Sequence, residues 1–209
     1  MALLTPISAY IEKYKIKDFD QITAERKSLL EEFASKITSM EGKIQLTFIC
    51  THNSRRSHLS QIWAQTAASF YGIENVYCYS GGTEATAFNP RAVKAIQDAG
   101  FKVEYDNGSE NPEYLVAFAE DQPALKCFSK TYDDVFNPQS DFLAIMTCDS
   151  ANEACPVVIG AKAKIAILYR DPKEADGTPE ETARYAERCE QIGREMFYAF
   201  SKLKNIKHG

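Results

Sequence analysis

Residues 48–63 read FICTHNSRRSHLSQIW. The apolar run over 43–49, KIQLTFI, ends directly in Cys50. Six residues on, Arg56 and Ser57 open a segment whose apolar members Leu59, Ile62, Trp63, Ala67 and Phe70 recur at helical spacing, with Gly72 closing it. A strand, a short polar loop and a helix in succession aim several backbone N–H groups at one point. Together with the helix dipole they make a cradle for an anion. Cys50 at the head of that loop is expected to be held as a thiolate by the same groups. Arg56 suits a tetrahedral oxyanion, because its planar fork binds two oxygens at once. Ser57 can hydrogen-bond the sulfur, and Asn53 suits the left-handed backbone that would bend the loop into a cup. Of the six cysteines, only Cys50 has an arginine six positions on.

The rest of the chain supplies a frame for this loop. NVYCYS (75–80) reads as a strand ending in Gly81-Gly82, and Asn89-Pro90 opens a helix that Gly100 closes. FKVEY (101–105) reads as a short strand. Residues 106–140 are expected to be an irregular insertion, with strand-like ALKCFS (124–129) inside it. DFLAIMT (141–147) is a buried strand ending at Cys148, and AKIAILY (163–169) another, ending at Arg170-Asp171-Pro172. Thr178-Pro179-Glu180-Glu181 is a capping box that starts the last helix. Strands alternating with helices predict an α/β fold, a doubly wound parallel sheet flanked by helices. Such sheets bind ligands outside the carboxyl ends of their strands. Three segments at strand ends converge there: Cys50 to Ser57, Cys148 to Cys155, and Asp171. Residues 1–42, with Ile22, Leu29, Leu30, Phe33 and Ile37 on one helical face, read as an N-terminal helical extension to a catalytic domain over 43–209.

Composition narrows the function classes. The chain has 209 residues, 44% apolar and 25% charged, which fits one globular domain with an appendage. No apolar run approaches the roughly 18 residues needed to span a bilayer, so no membrane partner is expected. The N-terminus breaks its apolar run early and has no basic leader, so a cytoplasmic location is expected. A net charge of −5 argues against nucleic acid as a partner. His52, His58 and His208 do not pair with cysteines as zinc ligands do, so neither a metal nor another cofactor is expected. The plain reading of six cysteines in a reducing compartment is buried thiols serving as small hydrophobes.

FICTHNSRRSHLSQIW resembles the phosphate-binding loop of the low-molecular-weight protein tyrosine phosphatase superfamily, and YSGGTEATAFNPRAVKAIQDAGF resembles its second strand and helix. YRDP is similar to that superfamily's general-acid loop. FLAIMTCDSANEACPVV is similar to something narrower, the redox segment of the arsenate reductases built on this fold and usually recycled by thioredoxin. The resemblance covers roughly residues 43–204 apart from 106–140. It implies that Thr51, His52, Asn53, Ser54, Arg55, Arg56 and Ser57 surround a small oxyanion, with Cys50 as nucleophile and Asp171 as general acid. Cys148 and Cys155 would then pass a disulfide onward to thioredoxin or another dithiol. Asp171-Pro172 also reads as a routine turn. A helix over DSANEA would put the two thiols on one face but roughly 10 Å apart. A disulfide needs Cα atoms within about 7 Å, so bridging requires unwinding, which Asp149, Ser150 and Asn152 make cheap.

The chain also departs from that pattern. His52 stands where the family usually has glycine, and Arg55 where it often has cysteine, adding a second positive charge beside the anion. Gln61 stands where many of the reductases carry a glutamate near a bound potassium ion, so that cation is not carried over. His58 replaces a proline that often follows the loop's Arg-Ser, and Lys173 an aromatic residue common in the phosphatases. Three readings remain at this point. One is a thiol-dependent arsenate reductase. Another is a phosphatase with a phosphocysteine intermediate on Cys50, acting on a phosphate ester. The third is a non-enzymatic oxyanion-binding or redox-sensing module.

Overall fold

The computed structural model describes residues 2–105 and 108–203. Residues 106 and 107 of the expected insertion, and His208, lie outside them. The elements run α1 (Thr5–Lys13), α2 (Ala24–Thr38), β1 (Ile44–Cys50), α3 (Arg56–Phe70), β2 (Val76–Gly82), α4 (Pro90–Asp98), β3 (Lys102–Tyr105), β4 (Tyr114–Ala117), β5 (Leu125–Cys127), β6 (Phe142–Met146), α5 (Asp149–Ala154), β7 (Ala161–Ala166) and α6 (Glu181–Leu203). Short 3₁₀ turns cover Phe19–Gln21 and Pro172–Ala175.

Four strands form the predicted parallel sheet, in the order β2-β1-β6-β7. β1 is central, with Ile49 opposite Gly81 on one side and Met146 on the other. Because side chains alternate along a strand, each strand serves two layers. Leu46, Phe48, Leu143, Ile145 and Ile165 enter the main core, whose other wall is α2, α3 and α6. Ile49, Phe142, Ala144 and Met146 face the opposite way into a small second cluster, closed by Cys148, Ala151 and Val158. The second cluster therefore runs along the whole of β6 and reaches the carboxyl ends of β1 and β6. Cys50 belongs to it.

FKVEY does not join this sheet, and the stretch after it is not irregular throughout. β3, β4 and β5 pair antiparallel as a separate three-stranded sheet, with Tyr105 opposite Tyr114 and Tyr114 opposite Cys127. Its inward residues Tyr114, Val116 and Cys127 join the main core. β3 and β5 fall in the strand-like stretches FKVEY and ALKCFS, whereas β4, four residues long, is too short for alternation to reveal it in the sequence. The open edge of β2 faces this sheet across a cavity of about 630 Å³. That edge is sealed by side chains. Gln65 accepts from the Cys78 N–H (3.0 Å) and donates to the Val76 carbonyl (3.1 Å), while Gln61 donates to the Cys78 carbonyl (3.1 Å). Further along, Asn137 donates to the Ser80 carbonyl (3.0 Å).

The N-terminal helices share the main core. Ile7, Tyr10, Ile11, Leu30, Phe33 and Ile37 are buried in the same cluster as Trp63 and Phe197. The chain start is also fastened to the insertion, since Leu4 N–H donates to the Phe118 carbonyl (2.9 Å) and Leu3 bridges Ala119. Gly100, which closes α4 at φ +96°, lets α1 come this close. A Cβ there would lie 2.5 Å from the Pro6 carbonyl carbon. α2 is joined to α6 by Arg26, whose Nε and Nη2 donate to Glu195 Oε2 (3.0 and 2.7 Å). Glu195 is 3% exposed and takes a second bond from Gln191 (2.9 Å). Removing one partner of such a pair leaves a buried charge uncompensated. Arg26→Met is expected to lower stability by roughly 2–4 kcal/mol, and Arg26→Met/Glu195→Met by less. Urea titration of the three proteins checks this, and an unchanged midpoint for Arg26→Met contradicts it.

Candidate active site

The loop from Cys50 to Ser57 is bent by Asn53, which adopts the left-handed conformation at φ +44°. The bend is held from both sides by the same residue. Asn53 Nδ2 donates to Ser57 Oγ (2.8 Å), and Asn53 Oδ1 accepts from the Lys130 backbone N–H (3.0 Å). Ser57 Oγ lies 3.1 Å from Cys50 Sγ. Cys50 is 4% exposed. The loop's carbonyls are drawn outward by the segment after β2. Thr51 O accepts from Glu84 N–H (2.8 Å) and Thr83 Oγ1 (3.2 Å), and His52 O accepts from Ser129 Oγ (2.9 Å). Gly82 permits the approach, since a Cβ there would lie 2.6 Å from Thr51 O and 2.8 Å from Asn53 N.

Arg56 lies in the first turn of α3. Its Nη2 donates to Asp171 Oδ2 (2.6 Å) and its Nη1 to the Tyr169 carbonyl (3.0 Å), while its buried Nε has no partner among the described residues. Asp171 follows β7 and caps the 3₁₀ turn through Lys173 N–H (3.1 Å). The routine-turn reading of Asp171-Pro172 therefore holds, with one carboxylate oxygen making the turn and the other meeting the arginine. Ile167 N–H and Tyr169 N–H continue the bonding of β7 to β6, at the Met146 and Thr147 carbonyls (2.9 and 3.1 Å), which carries Asp171 to the loop.

Cys148 follows β6 by two residues and stands at the N-terminus of α5, buried, with Sγ 3.4 Å from Thr51 Oγ1. Cys155 ends the same helix, half-buried against the second cluster. All six cysteines are free. The other three behave as the plain reading requires. Burial pushes the Cys127 and Cys189 thiols up to about 12 and Cys78 higher still. Cys50, Cys148, Arg56 and Asp171 thus come together at three strand ends, with Cys155 one short helix away.

Residues 45–115, which span the loop, α3, β2 and α4, match the family model described as low molecular weight phosphotyrosine protein phosphatase. The chain is 29% identical over 160 residues to an arsenate reductase of Bacillus licheniformis, covering 74% of this chain and 94% of that one. It is 30% identical over 116 residues to arsenate reductase 2 of Staphylococcus epidermidis, covering 56% of this chain and 69% of that one. The chain belongs to the low molecular weight phosphotyrosine protein phosphatase superfamily, close to the arsenate reductases. Its fold agrees: a low molecular weight protein tyrosine phosphatase from T. tengcongensis superposes at a TM-score of 0.51, with 16% identity, over 77% of this chain and all of that one.

Four of the five departures from the superfamily's pattern, at positions 52, 55, 58 and 61, have a local account. Arg55 does not turn its charge to the loop's centre. Its Nε donates to Tyr185 Oη (2.8 Å) and its Nη2 lies 3.6 Å from Asp176, to which Tyr185 also donates (2.8 Å). His52 is half-exposed, 3.6 Å from Glu84. His58 is fully buried, stacked on Phe88 at 4.1 Å, with Nδ1 3.1 Å from Ser80 Oγ; burial, then Lys130, holds its pKa well below the usual histidine range. At position 61 a glutamate would set a carboxylate against the Cys78 carbonyl, whereas the glutamine amide donates to it. Among the described residues no cluster of His, Cys, Asp and Glu could hold a metal, and no helix is long and apolar enough to cross a membrane.

Lys130 and Tyr185 were not foreseen. Lys130 sits in the insertion with no motif around it, yet it is 2% exposed. Its Nζ donates to the Phe128 carbonyl (3.2 Å) and lies 4.3 Å from the Phe128 ring centroid. Burial lowers its pKa from 10.5 to about 8. Below about pH 8 the ammonium is charged in both states and the folded protein bears the cost of burying it. Between about 8 and 10.5 only the unfolded chain keeps the proton, so this cost fades and stability rises with pH. Lys130→Met is accordingly expected to be more stable than the parent at pH 7 by about 1–3 kcal/mol. The gap should close as pH is raised through that window. Paired denaturant titrations at pH 7, 8.5 and 10 check it, and a pH-independent gap contradicts it.

Proposed function

We propose that this protein reduces arsenate to arsenite through Cys50 and a disulfide relay over Cys148 and Cys155. The observation that carries the reading is the meeting of Cys50, Cys148, Arg56 and Asp171 at the ends of β1, β6 and β7. Two arsenate reductases among the relatives support it. Arsenate takes Arg56 and the loop N–H groups, which releases Asp171 from the arginine and lets it carry a proton. The Cys50 thiolate attacks arsenic; a sulfur–arsenic bond forms, and one arsenate hydroxyl, protonated by Asp171, leaves as water. The Cys148 thiolate then attacks Cys50 sulfur. The disulfide forms, the arsenic–sulfur bond breaks, and its electron pair stays on arsenic, which departs as arsenite. Cys155 attacks Cys148 sulfur and displaces Cys50 as a thiolate, with no net change in oxidation. Thioredoxin or another dithiol supplies the two electrons that reopen Cys148–Cys155. No cofactor takes part.

The same Cys50, Arg56 and Asp171 suffice for a phosphomonoesterase, in which water would hydrolyse a phosphocysteine and the other two thiols would be idle. The buried Cys148 beside Thr51 favours the reductase. Lys173 agrees, since it leaves no aromatic platform after Asp171-Pro172 for a phosphotyrosine ring.

Cys148→Ser and Cys155→Ser should each abolish multiple-turnover arsenate reduction with thioredoxin. Hydrolysis of an aryl phosphate should change less than about threefold, and Cys50→Ser should end both activities. Asp171→Asn should slow turnover by about 10²-fold, the scale of a positioned acid, while oxyanion binding persists. Arsenite release and thiol mass mapping read these outcomes. Wild-type reduction rates in both cysteine variants would leave the phosphatase reading in place.

A further inference from the structure

Lys164 lies on β7 opposite Ala144 of β6, on the strand beside α5. Its half-buried ammonium reaches the end of that helix, donating to the Asn152 carbonyl (3.0 Å) and the Cys155 carbonyl (2.6 Å). No carboxylate pairs with it among the described residues; its neighbour Lys162, by contrast, is exposed and lies 3.4 Å from Asp141. The last carbonyls of any helix lack partners within it, and a cation there is favoured by the dipole. α5 has only six residues, far below the length at which a helix holds by itself. Asp149, Ser150 and Asn152 are poor interior formers. Much of what keeps this segment helical therefore comes from outside it, and Lys164 is the charged part.

We infer that Lys164 is a latch that sets the redox poise of the Cys148–Cys155 pair. This inference rests on the relay proposed above. In the dithiol form the helix separates the two residues by roughly 10 Å, seven steps of 1.5 Å. The Cys155 N–H bond to the Ala151 carbonyl (3.1 Å) closes its last turn. A disulfide needs the Cα atoms within about 7 Å. Forming it unwinds the last turn and pulls the Asn152 and Cys155 carbonyls off the ammonium. The two bonds made by Lys164 thus belong to the dithiol form alone, and they bias the pair against oxidation. Lys164 touches no substrate. It is a positioning residue, and its effect lies in an equilibrium rather than in the chemistry at Cys50.

The test equilibrates the full chain with mixtures of reduced and oxidised dithiothreitol at pH 7. Each Cys148–Cys155 bridge formed is matched by one oxidised dithiothreitol reduced. Acid quenching, alkylation and mass mapping give the ratio of bridge to dithiol. Lys164→Met should raise the equilibrium constant for the bridge by about tenfold, the scale of a lost charge-assisted hydrogen bond. Lys164→Gln, which keeps a neutral donor, should raise it less, and Lys164→Arg and Lys162→Met should stay within about threefold of the parent. Lys164→Gln also decides the matter if the methionine variant does not fold. An unchanged or lower constant in Lys164→Met and Lys164→Gln, with the bridge forming normally in the parent, overturns the latch alone. A parent that never forms the bridge while still reducing arsenate overturns the relay and the latch with it.

Discussion

The left-handed bend at Asn53 is held by both ends of its own side chain, and the geometry of the site follows from it. Glycine would supply the backbone conformation without either side-chain bond. Aspartate would keep the acceptor that meets Lys130 N–H but lose the donor that meets Ser57. Asparagine alone tolerates the conformation and makes both bonds. Through it a line of contacts runs from the insertion, by Asn53 and Ser57, to the sulfur of Cys50. The Thr51 and His52 carbonyls are tied to Thr83, Glu84 and Ser129 on the same side as the bend is braced.

Two further lines brace the site from residues outside 45–115. Arg26 of α2 lies 5.0 Å from the centroid of the Tyr169 ring, and the Tyr169 carbonyl receives Arg56. Arg55 reaches Asp176 directly and through Tyr185, and Asp176 ends the turn that begins at Asp171. The N-terminal helices and the N-terminal half of α6 thus act on the two residues that handle charge at the site. The N-terminal helical extension shares the main core and touches the residue whose carbonyl receives Arg56.

The parallel sheet and the three strand-end segments were legible because their signals are local. An apolar run meets a polar loop and a helical period at Cys50, and Asn89-Pro90 and the Thr178 box mark helix starts by side chain alone. Of the antiparallel sheet, FKVEY and ALKCFS were legible as strands, but β4 and the pairing of the three were not, since a strand of four residues carries too few positions for a period to show. Arg55 was misplaced for a related reason. Spacing puts a residue on a loop, but its partners Tyr185 and Asp176 are more than a hundred positions away, so only the fold decides which way the guanidinium turns. Lys130 gave no signal because nothing in sequence separates a buried lysine from a solvated one.

The amides along the border of β2 have a consequence for how molecules of this protein meet. A bare outer strand offers its N–H and C=O groups to any extended chain that drifts alongside, which is a common start of intermolecular sheet growth. Here Gln65 occupies one N–H and one carbonyl, Gln61 the next carbonyl, and Asn137 the one after that. A visiting strand would have to displace all three side chains before its first ladder bond formed. The glutamine at position 61 thus serves the colloidal behaviour of the molecule as well as its interior, by closing the border through which copies could stack into fibres.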